Sequence, residues 1–539
     1  MIAVLAQEED HPAVREFFEL FKTPWEFYRG DCEYSVVLCA TDAIPTGSGK
    51  VVIAFGSVEN SFDRAIATKI RSRQSGGMVL YGRTRIPIYG NCLVFESSVP
   101  GLLTHDSACG AVALTTVRGG QTVIRIGFDL FQEFKYLLTQ GQPAGHAAIP
   151  TLELHIALLR SLILMCSIPI VEIPPVPDGH NFITCLTHDM DHLGIRNHKF
   201  DHTMLGFLYR ATMGSILDVW RGKKDWRQAR ANWLAVARLP LVQLGLAADF
   251  WNQPDRYREI EKEQNSTFFV IPKRGEPGID SRGKRPRRRA ASYDAMEYSD
   301  VLKKLQFAGD EIGVHGIDAW RDSAAGREEQ EIVCGLTGAA ETGVRMHWLY
   351  FDEHSPSILE AAGFSYDSTL GYNQTIGYRA GTTQVFKPLT TATLMELPMH
   401  VMDTALFYPN YLNLTPERAH EAIRPLIENA MHFGGALTVN WHDRSIAPER
   451  LWDGPYQELL EQLRARGACF LTAGRAVSWF RKRRAAVFER TSDTIKVRIP
   501  ADGRPRLPGL RVRTYYPEGN GDKYSETSVN DGGEIRLAA

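Results

Sequence analysis

Residues 185–192, with the sequence CLTHDMDH, concentrate carboxylate and imidazole side chains directly after an apolar run. Asp189 and Asp191 are two residues apart, so on a strand their side chains would point to the same face. Two carboxylates that close repel each other and are costly to bury, and a divalent cation would remove both problems. One carboxylate could then bind the ion while the other acts as a base towards water. A solvated loop with helix-capping aspartates is the alternative that this spacing leaves open.

Strands and helices alternate along the chain after this segment. Short β-branched or aromatic runs such as STFFV, EIGVH and LTVNWH predict strands, and runs such as SDVLKKLQFAGD and GPYQELLEQLRARGA predict helices. Repeated strand–helix units predict a parallel sheet or barrel, in which functional side chains lie where the strands end. The sequence therefore predicts an α/β fold built on a distorted or partial (β/α) barrel.

Composition and patterning divide the chain into three predicted segments. Residues 1–145 are predicted to form an N-terminal α/β domain of unknown role, and residues 146–485 the barrel. A bulky helical stretch at about 196–262 interrupts the barrel pattern and is interpreted as an insertion. Its Trp-rich helices suggest buried core or a dimer surface rather than a membrane anchor, with a lid over a lipid-linked sugar as the alternative. Residues 486–539 alternate in β fashion and predict a small C-terminal β appendage.

The length, net charge and cysteine content are those of an ordinary globular protein. The 539 residues carry a formal net charge of −2, which provides no global field for nucleic acid or for an anionic membrane. The eight cysteines are scattered without a CxxC pair, which predicts reduced thiols. No signal-peptide pattern is found at the N-terminus, so we expect a cytoplasmic location. The basic run KRPRRR at 284–289 is interpreted as a solvated loop, with phosphate contact as the alternative.

A series of motifs between residues 180 and 480 resembles the polysaccharide deacetylase family, the carbohydrate esterases with a NodB-type domain. LTHDMD is similar to that family's Thr-x-Asp-Asp motif, with one residue inserted between the two aspartates. The further motifs follow in the family's order: STFFV (266–270), LQFAGDEIGVHG (305–316), RMHWL (345–349), ELPMHVMD (396–403) and LTVNWHD (437–443). Each motif is weak alone, but their order and placement on strands are specific together.

The resemblance implies a role for each matching position. Asp189 would be the general base, and Asp191 and His315 would bind a divalent metal, with zinc as the expected ion. His442 would be the general acid that protonates the leaving amine. Two residues would support this pair: Arg345 would keep Asp189 ionised, and Asp403 would orient His442.

The chain departs from the family pattern at one metal ligand. The family usually has a second metal-binding histidine four residues after the first, and Ala319 occupies that position after His315. One carboxylate and one imidazole would bind metal weakly, because catalytic zinc sites normally use three protein ligands. His347 shares the strand face of Arg345 and is the favoured third ligand, and Asp318 is the other candidate.

Polar residues near these motifs have less specific interpretations. Histidines 188, 192, 198 and 202 surround the first motif, either as neighbours of the metal site and the substrate or as groups that bind backbone. The segment at 367–382 is rich in Tyr, Asn, Gln and Thr, and suits either a sugar or the packing of the barrel mouth.

These features predict a metal-dependent hydrolase that removes an N-acyl group, in the first place N-acetyl, from an amino sugar. The resemblance places this in surface-polysaccharide or glycolipid biosynthesis. The expected partner is an N-acylated sugar, a polysaccharide precursor or a glycolipid, with no nucleic acid, and membrane contact is allowed but not required. Two alternatives are a deformylase of a lipid-linked amino sugar and a catalytically inactive NodB-like sugar-binding or assembly module.

Overall fold

The structure, a computed structural model, describes residues 1–42, 45, 49–97, 101–108, 110–222, 224–262, 264–490, 494–500, 507–517, 523–530 and 532–538. The chain groups into two compact units. The first unit comprises residues 1–179, 379–389 and 479–539, and the second comprises residues 180–378 and 390–478. The segment boundaries at 145 and 485 stay predictions from the sequence.

The elements of both units are given in chain order. The strands are β1 (Ile2–Leu5), β2 (Trp25–Phe27), β3 (Tyr34–Cys39), β4 (Gly49–Phe55), β5 (Ile70–Tyr81), β6 (Thr84–Phe95), β7 (Thr104–His105), β8 (Gly110–Ala111), β9 (Ala113–Arg118), β10 (Gln121–Ile126), β11 (Ile170–Glu172), β12 (Phe182–Met190), β13 (Thr267–Val270), β14 (Glu311–Gly316), β15 (Gly343–Met346), β16 (Tyr366–Asp367), β17 (Met395–Glu396), β18 (Val401–Met402), β19 (Ala436–Asn440), β20 (Ala468–Phe470), β21 (Val487–Arg490), β22 (Thr494–Arg498), β23 (Leu510–Tyr515), β24 (Tyr524–Val529) and β25 (Glu534–Ala538). The α-helices are α1 (His11–Phe21), α2 (Ser61–Ala65), α3 (Leu130–Thr139), α4 (Thr151–Met165), α5 (His202–Tyr209), α6 (Ser215–Trp220), α7 (Trp226–Gln243), α8 (Pro254–Glu261), α9 (Ser299–Phe307), α10 (Ser323–Thr337), α11 (Ser355–Ala362), α12 (Asp403–Phe407), α13 (Pro416–Phe433), α14 (Asp453–Ala465) and α15 (Ala473–Ala485).

The first unit combines a mixed sheet with smaller β structures. Its main sheet has the order β2-β1-β3-β4-β10-β9, parallel except for the β9–β10 pair. Strands β5, β6, β8 and β7 close into a small barrel, and two three-stranded sheets have the orders β11-β23-β24 and β21-β22-β25. The predicted N-terminal α/β fold and C-terminal β strands are therefore confirmed. The C-terminal strand β23 pairs with β11, which precedes the second unit in the sequence.

The second unit is built on one parallel sheet. Its strand order is β17-β16-β15-β14-β13-β12-β19-β18, and β20 pairs with β12. Every residue of β12, β13, β15 and β19 is buried, so both faces of these strands are covered, as expected for a parallel sheet. This sheet confirms the predicted distorted or partial (β/α) barrel. All of its strands point the same way, so their carboxyl ends meet at one edge.

Local signals define the ends of the surrounding helices. Helix α10 follows Asp322, whose side chain accepts hydrogen bonds from the backbone N–H groups of Ala324 and Ala325. It ends at Gly338, which has a left-handed backbone conformation with φ of 68°. Proline lies in the first turn of α11 and α13, where its missing N–H costs nothing.

The predicted helical insertion lies between β12 and β13 and contains α5, α6, α7 and α8. A π-helical turn, Arg210–Gly214, joins α5 to α6. Among the described residues, no helix has the length and apolar character needed to cross a bilayer. The described cysteines are free thiols, and Cys109 lies outside the described residues.

Candidate metal centre and active site

The predicted functional side chains gather at the carboxyl edge of the second unit's sheet. Each lies at or just beyond the end of a strand: Asp189 and Asp191 at β12, His315 at β14, Arg345 and His347 at β15, Asp403 after β18, and His442 after β19. In the register of the sheet, His315 pairs with Arg345 and Met402 pairs with Asn440. Residues that are up to 253 positions apart in the chain thus surround one cavity.

Three of these side chains form a group that can hold a metal ion. The ligand atoms of Asp191, His315 and His347 all lie within 4.8 Å of one another. Asp191 Oδ1 is 3.3 Å from Nε2 of His315 and 3.6 Å from Nε2 of His347. This oxygen is buried and has no hydrogen-bond partner in the described structure, so a cation would satisfy it. Two imidazoles and one carboxylate fit the donor set of a catalytic zinc site that keeps an open position.

The third member of this group is His347 rather than Asp318. Oδ1 of Asp318 accepts a hydrogen bond from the backbone N–H of Ile279, at 2.9 Å. Ala319, at the family's usual histidine position, is fully buried and offers no ligand atom. Of the two candidates left open by the sequence, the structure therefore places His347 at the group.

Nε2 of each imidazole faces Oδ1 of Asp191. Nδ1 of His315 is 2.9 Å from the carbonyl oxygen of Arg345 and must donate to it, which leaves the lone pair on Nε2. Burial lowers the pKa of His347 to about 3, so this ring is neutral at physiological pH. Metal binding requires neutral imidazole, and the lowered pKa of His347 meets that requirement.

Asp189 is held as an ionised carboxylate beside this group. Its Oδ1 accepts from Nη1 of Arg345 at 3.0 Å, and its Oδ2 accepts from Nδ2 of Asn440 at 2.7 Å. Burial alone would raise the pKa of Asp189, but the Arg345 guanidinium, helped by His315 and His442, brings it below its usual value. Such a carboxylate can accept a proton.

Asn440 was not among the residues predicted from the sequence. It lies two positions before His442 at the end of β19, inside the quoted motif LTVNWHD. On an extended chain, residues two apart share a face, so its orientation towards the cavity could have been found from that spacing.

His442 is paired with a buried carboxylate on the other side of the cavity. Its Nδ1 is 2.6 Å from Oδ1 of Asp403, whose Oδ2 accepts from the backbone N–H of His442 and from the hydroxyl of Ser445. Burial alone would lower the pKa of His442, but Asp403 outweighs it and raises the pKa to about 10. Nε2 of this imidazolium lies 4.0 Å from Oδ2 of Asp189. A proton acceptor and a proton donor therefore face the same space.

The cavity around these groups has a volume of about 500 Å³. Aromatic and polar side chains contribute to its wall: Trp348, Tyr350, Asn373, Tyr408 and Tyr411. From the polar segment at 367–382, Asn373 lines the cavity, whereas Tyr372 and Tyr378 are buried. Flat rings and an amide at the wall of an open cavity suit the faces and hydroxyl groups of a sugar.

The four histidines around the first motif have different surroundings. His188 is fully buried between the carbonyl oxygen of Trp441 and the carboxylate of Glu261, a structural arrangement. His192 lines the cavity, and its Nδ1 is 3.2 Å from Nε2 of His198. His202 is exposed. His188 therefore fits the interpretation as a group that binds backbone, and His192 fits the interpretation as a neighbour of the metal site and the substrate.

The basic run at 284–289 is only partly the solvated loop that was predicted. Arg289 is fully buried, and its Nε and Nη2 atoms donate to the carbonyl oxygen of His347 at 3.2 and 2.9 Å. Its guanidinium also lies 4.4 Å from the ring centre of Tyr350. The other arginines of the run are exposed. Arg289 thus positions a candidate metal ligand, and charge clustering in the sequence gave no signal for this role.

The likenesses between this chain and known proteins are distant. No protein-family model and no curated protein matches the chain. Among solved structures it is similar to a protein of Mycobacterium smegmatis described as a polysaccharide deacetylase, with 20% identity, 62% of this chain and 100% of that chain covered, and a TM-score of 0.36. A second, from Pseudomonas aeruginosa PAO1 and of the same description, has 14% identity, coverage of 57% and 94%, and a TM-score of 0.35. The Bc1960 peptidoglycan N-acetylglucosamine deacetylase has 12% identity, coverage of 55% and 88%, and a TM-score of 0.26.

The first two of these structures carry the description, polysaccharide deacetylase, that the resemblance named from the sequence. At these identities and TM-scores the likeness carries no substrate and no residue role. The function is therefore argued from the side chains of the site.

Proposed function

We propose that the second unit is a metal-dependent hydrolase that removes an N-acyl group, in the first place N-acetyl, from an amino sugar. The observation that carries this proposal is the convergence of three kinds of group on one cavity. These are a metal-ligand set (Asp191, His315 and His347), an ionised carboxylate (Asp189) and an imidazolium (His442). A sugar-binding module has no need for a proton acceptor and a proton donor beside a metal group.

In this proposal the two proton-transfer groups act in sequence. Asp189 takes a proton from the water that attacks the acyl carbonyl carbon. Nε2 of His442 then donates its proton to the amine nitrogen as the carbon–nitrogen bond breaks, and a free amine and a carboxylic acid leave. Arg345 and Asn440 keep the base ionised and oriented, and Asp403 does the same for the acid.

Asp191, His315 and His347 would hold a divalent ion, for which we expect zinc. When bound, such an ion supplies Lewis-acid stabilisation of the negative charge that develops on the acyl oxygen. The substrate would be a polysaccharide precursor or a glycolipid that carries an N-acylated amino sugar, a choice that rests on the resemblance and on the polar and aromatic cavity wall.

The test is amide hydrolysis by the purified full-length chain supplied with zinc. Chitin oligosaccharides and a nucleotide-linked N-acetylglucosamine serve as probes, and released acetate and free amine are both measured. We expect Asp189→Asn and His442→Ala each to lower kcat by about 10²–10⁴-fold, the usual contribution of general acid–base catalysis. His354→Ala is the matched control, because this side chain is 76% exposed.

Two other outcomes would redirect the assignment. Release of formate from N-formyl amino sugars, without release of acetate from the N-acetyl probes, would favour the deformylase. A chain that binds zinc and sugar but hydrolyses no N-acyl probe would overturn the proposal and favour a binding or assembly module.

A further inference from the structure

The helical insertion between β12 and β13 exposes more large apolar side chains for its length than the rest of the described chain does. Of the 25 large apolar side chains exposed among the described residues, twelve lie between residues 200 and 246. They are Phe200, Leu205, Tyr209, Met213, Ile216, Trp220, Trp226, Trp233, Leu234, Leu241, Leu244 and Leu246. Single exposed apolar residues are normal, but a concentration of this size marks an interaction surface.

The first helical stretch of the insertion carries these side chains on one face. Leu205, Tyr209, Met213, Ile216 and Trp220 follow one another at spacings of four, four, three and four residues along α5, the π-helical turn and α6. This is the spacing of a single helical stripe. The stripe is 46–83% exposed along its length, so the described chain does not cover it.

A different face of the same stretch packs into the insertion's own core. Met204, Phe207 and Ala211 are buried there, together with Leu239 of α7 and Trp251. The exposed stripe is therefore not the core-facing side of these helices. It is a second apolar face, and the core of the insertion is complete without it.

Helix α7 and the turn after it extend the same kind of surface. Trp226 and Trp233 are 66% and 39% exposed, with ring centres 6.3 Å apart. Further along the chain, the side chains of Leu241, Leu244 and Leu246 are 47%, 73% and 74% exposed. Tryptophan is the residue that favours the boundary between water and lipid, because its ring is apolar and its N–H is polar.

Charge distinguishes this surface from the rest of the chain. Residues 199–246 contain eight Lys or Arg residues and three Asp residues, a net charge of +5 in a protein whose net charge is −2. Arg227, Arg230 and Arg238 are exposed on α7 beside the apolar side chains. A cationic rim around apolar and aromatic side chains complements anionic phospholipid headgroups.

We propose that the described residues between 199 and 246 form a membrane-docking surface that binds an anionic phospholipid bilayer. The apolar stripe and the tryptophans enter the boundary between headgroups and acyl chains, while the arginines contact the phosphates. A second copy of this chain is the less suitable occupant, because a two-fold dimer would place the exposed Arg227, Arg230 and Arg238 against the same residues of the other copy. The inference does not depend on the proposed hydrolase activity, and its test needs no substrate.

The test is co-sedimentation of the full-length protein with phosphatidylcholine vesicles prepared with and without phosphatidylglycerol. We expect binding to the anionic vesicles, weakened by salt, and little binding to phosphatidylcholine alone. Replacing three exposed side chains (Trp220→Ser, Leu244→Ser and Leu246→Ser) should weaken binding at least about tenfold. Arg227→Gln, Arg230→Gln and Arg238→Gln together should weaken it about a hundredfold, at roughly 1 kcal/mol for each charge near the surface.

Each triple variant has a matched control in the same chain. Val58→Ser, Val117→Ser and Phe307→Ser replace equally exposed apolar side chains outside the insertion, at 61%, 69% and 97% exposure. Arg282→Gln, Lys284→Gln and Arg285→Gln remove three exposed charges from the basic loop near the cavity. Both controls should bind anionic vesicles as the unaltered protein does.

Three results would overturn the proposal. The unaltered protein could fail to sediment with anionic vesicles, or the insertion variants could bind as well as their controls. Light scattering could also show a dimer that the Trp220, Leu244 and Leu246 replacements convert to a monomer, which would assign the surface to a second copy. Unchanged circular dichroism spectra would show that the variants remain folded.

Discussion

At the scale of single residues, Asp403 sets the charge of His442. The carboxylate of Asp403 is fully buried and lies 2.6 Å from Nδ1 of His442. Burial alone would lower the pKa of His442, but this carboxylate outweighs that effect and holds the pKa at about 10. In Asp403→Asn the imidazolium loses this partner, so its pKa falls and the protonated acid is lost at lower pH. We expect the alkaline limb of the pH profile of kcat to move to lower pH, with kcat reduced at neutral pH.

The measurement is a pH–rate profile of Asp403→Asn beside Asp300→Asn, which alters an exposed carboxylate in the first turn of α9. The control should keep the profile of the unaltered protein. An alkaline limb that stays in place in Asp403→Asn would contradict the role given to this pair.

Asn440 gives a second prediction at this scale. Its side-chain amide donates to Asp189 at 2.7 Å, and a hydrogen bond to a charged group contributes about 1.5–3 kcal/mol. Asn440→Ala should therefore lower kcat/KM by about 10–150-fold while leaving zinc content unchanged. Steady-state kinetics and metal analysis of the same sample check this. A loss of zinc in Asn440→Ala would show that the amide acts on the metal group instead.

The sequence predicted the site well where chemistry follows strand ends. Asp189, Asp191, His315 and His442 lie where their motifs place them, because parallel strands bring their carboxyl ends together. The choice of His347 over Asp318 as the third candidate metal ligand could be made only from the structure. Both residues follow a strand, and the local turn decides where each side chain points. Asn440 is a neutral amide, and its role depends on a carboxylate 251 residues away.

At the scale of elements, the turn after β15 is held by a loop that is distant in sequence. Trp348 and Leu349 have left-handed backbone conformations, with φ of 67° and 52°, and such conformations are costly for residues with a side chain. Arg289 fixes this turn through two hydrogen bonds to the carbonyl oxygen of His347. The loop that carries Arg289 therefore acts as a support for the metal group.

Arg289→Met should weaken zinc binding by about 10–100-fold, the usual effect of losing a support of a ligand. Because Asp189 and His442 are untouched, saturating zinc should restore much of kcat. Arg287→Met, in the same basic run but exposed, should bind zinc as the unaltered protein does. Zinc titration followed by activity measures both. Equal zinc affinity in the two variants would show that Arg289 does not support the metal group.

The alternation of strands and helices made the parallel sheet predictable from the sequence. Local signals could not specify which strands pair across the chain, such as β11 with β23. The short strands β16, β17 and β18 have two residues each and carry no periodic pattern that sequence reasoning could use. Pairing partners depend on tertiary packing, which propensity alone does not encode.

At the scale of the whole molecule, the ion should contribute to stability. A ligand that binds only the folded state stabilises it by about 2.7 kcal/mol at a hundredfold excess over Kd. For a unit of this size, that corresponds to a rise in Tm of about 4–5 °C. We expect this rise on adding zinc, and its loss as the pH falls far enough to protonate the ligating histidines. Differential scanning calorimetry of the unaltered protein and His315→Ala checks it, and an equal shift in both would contradict the predicted site.

The most direct test of the central claim is the metal content of the purified chain, measured by plasma mass spectrometry after dialysis. The account predicts one divalent ion per chain, retained in His354→Ala and lost in both His315→Ala and His347→Ala. A His347→Ala protein that keeps its ion, or an unaltered protein that binds none after incubation with zinc, would contradict it.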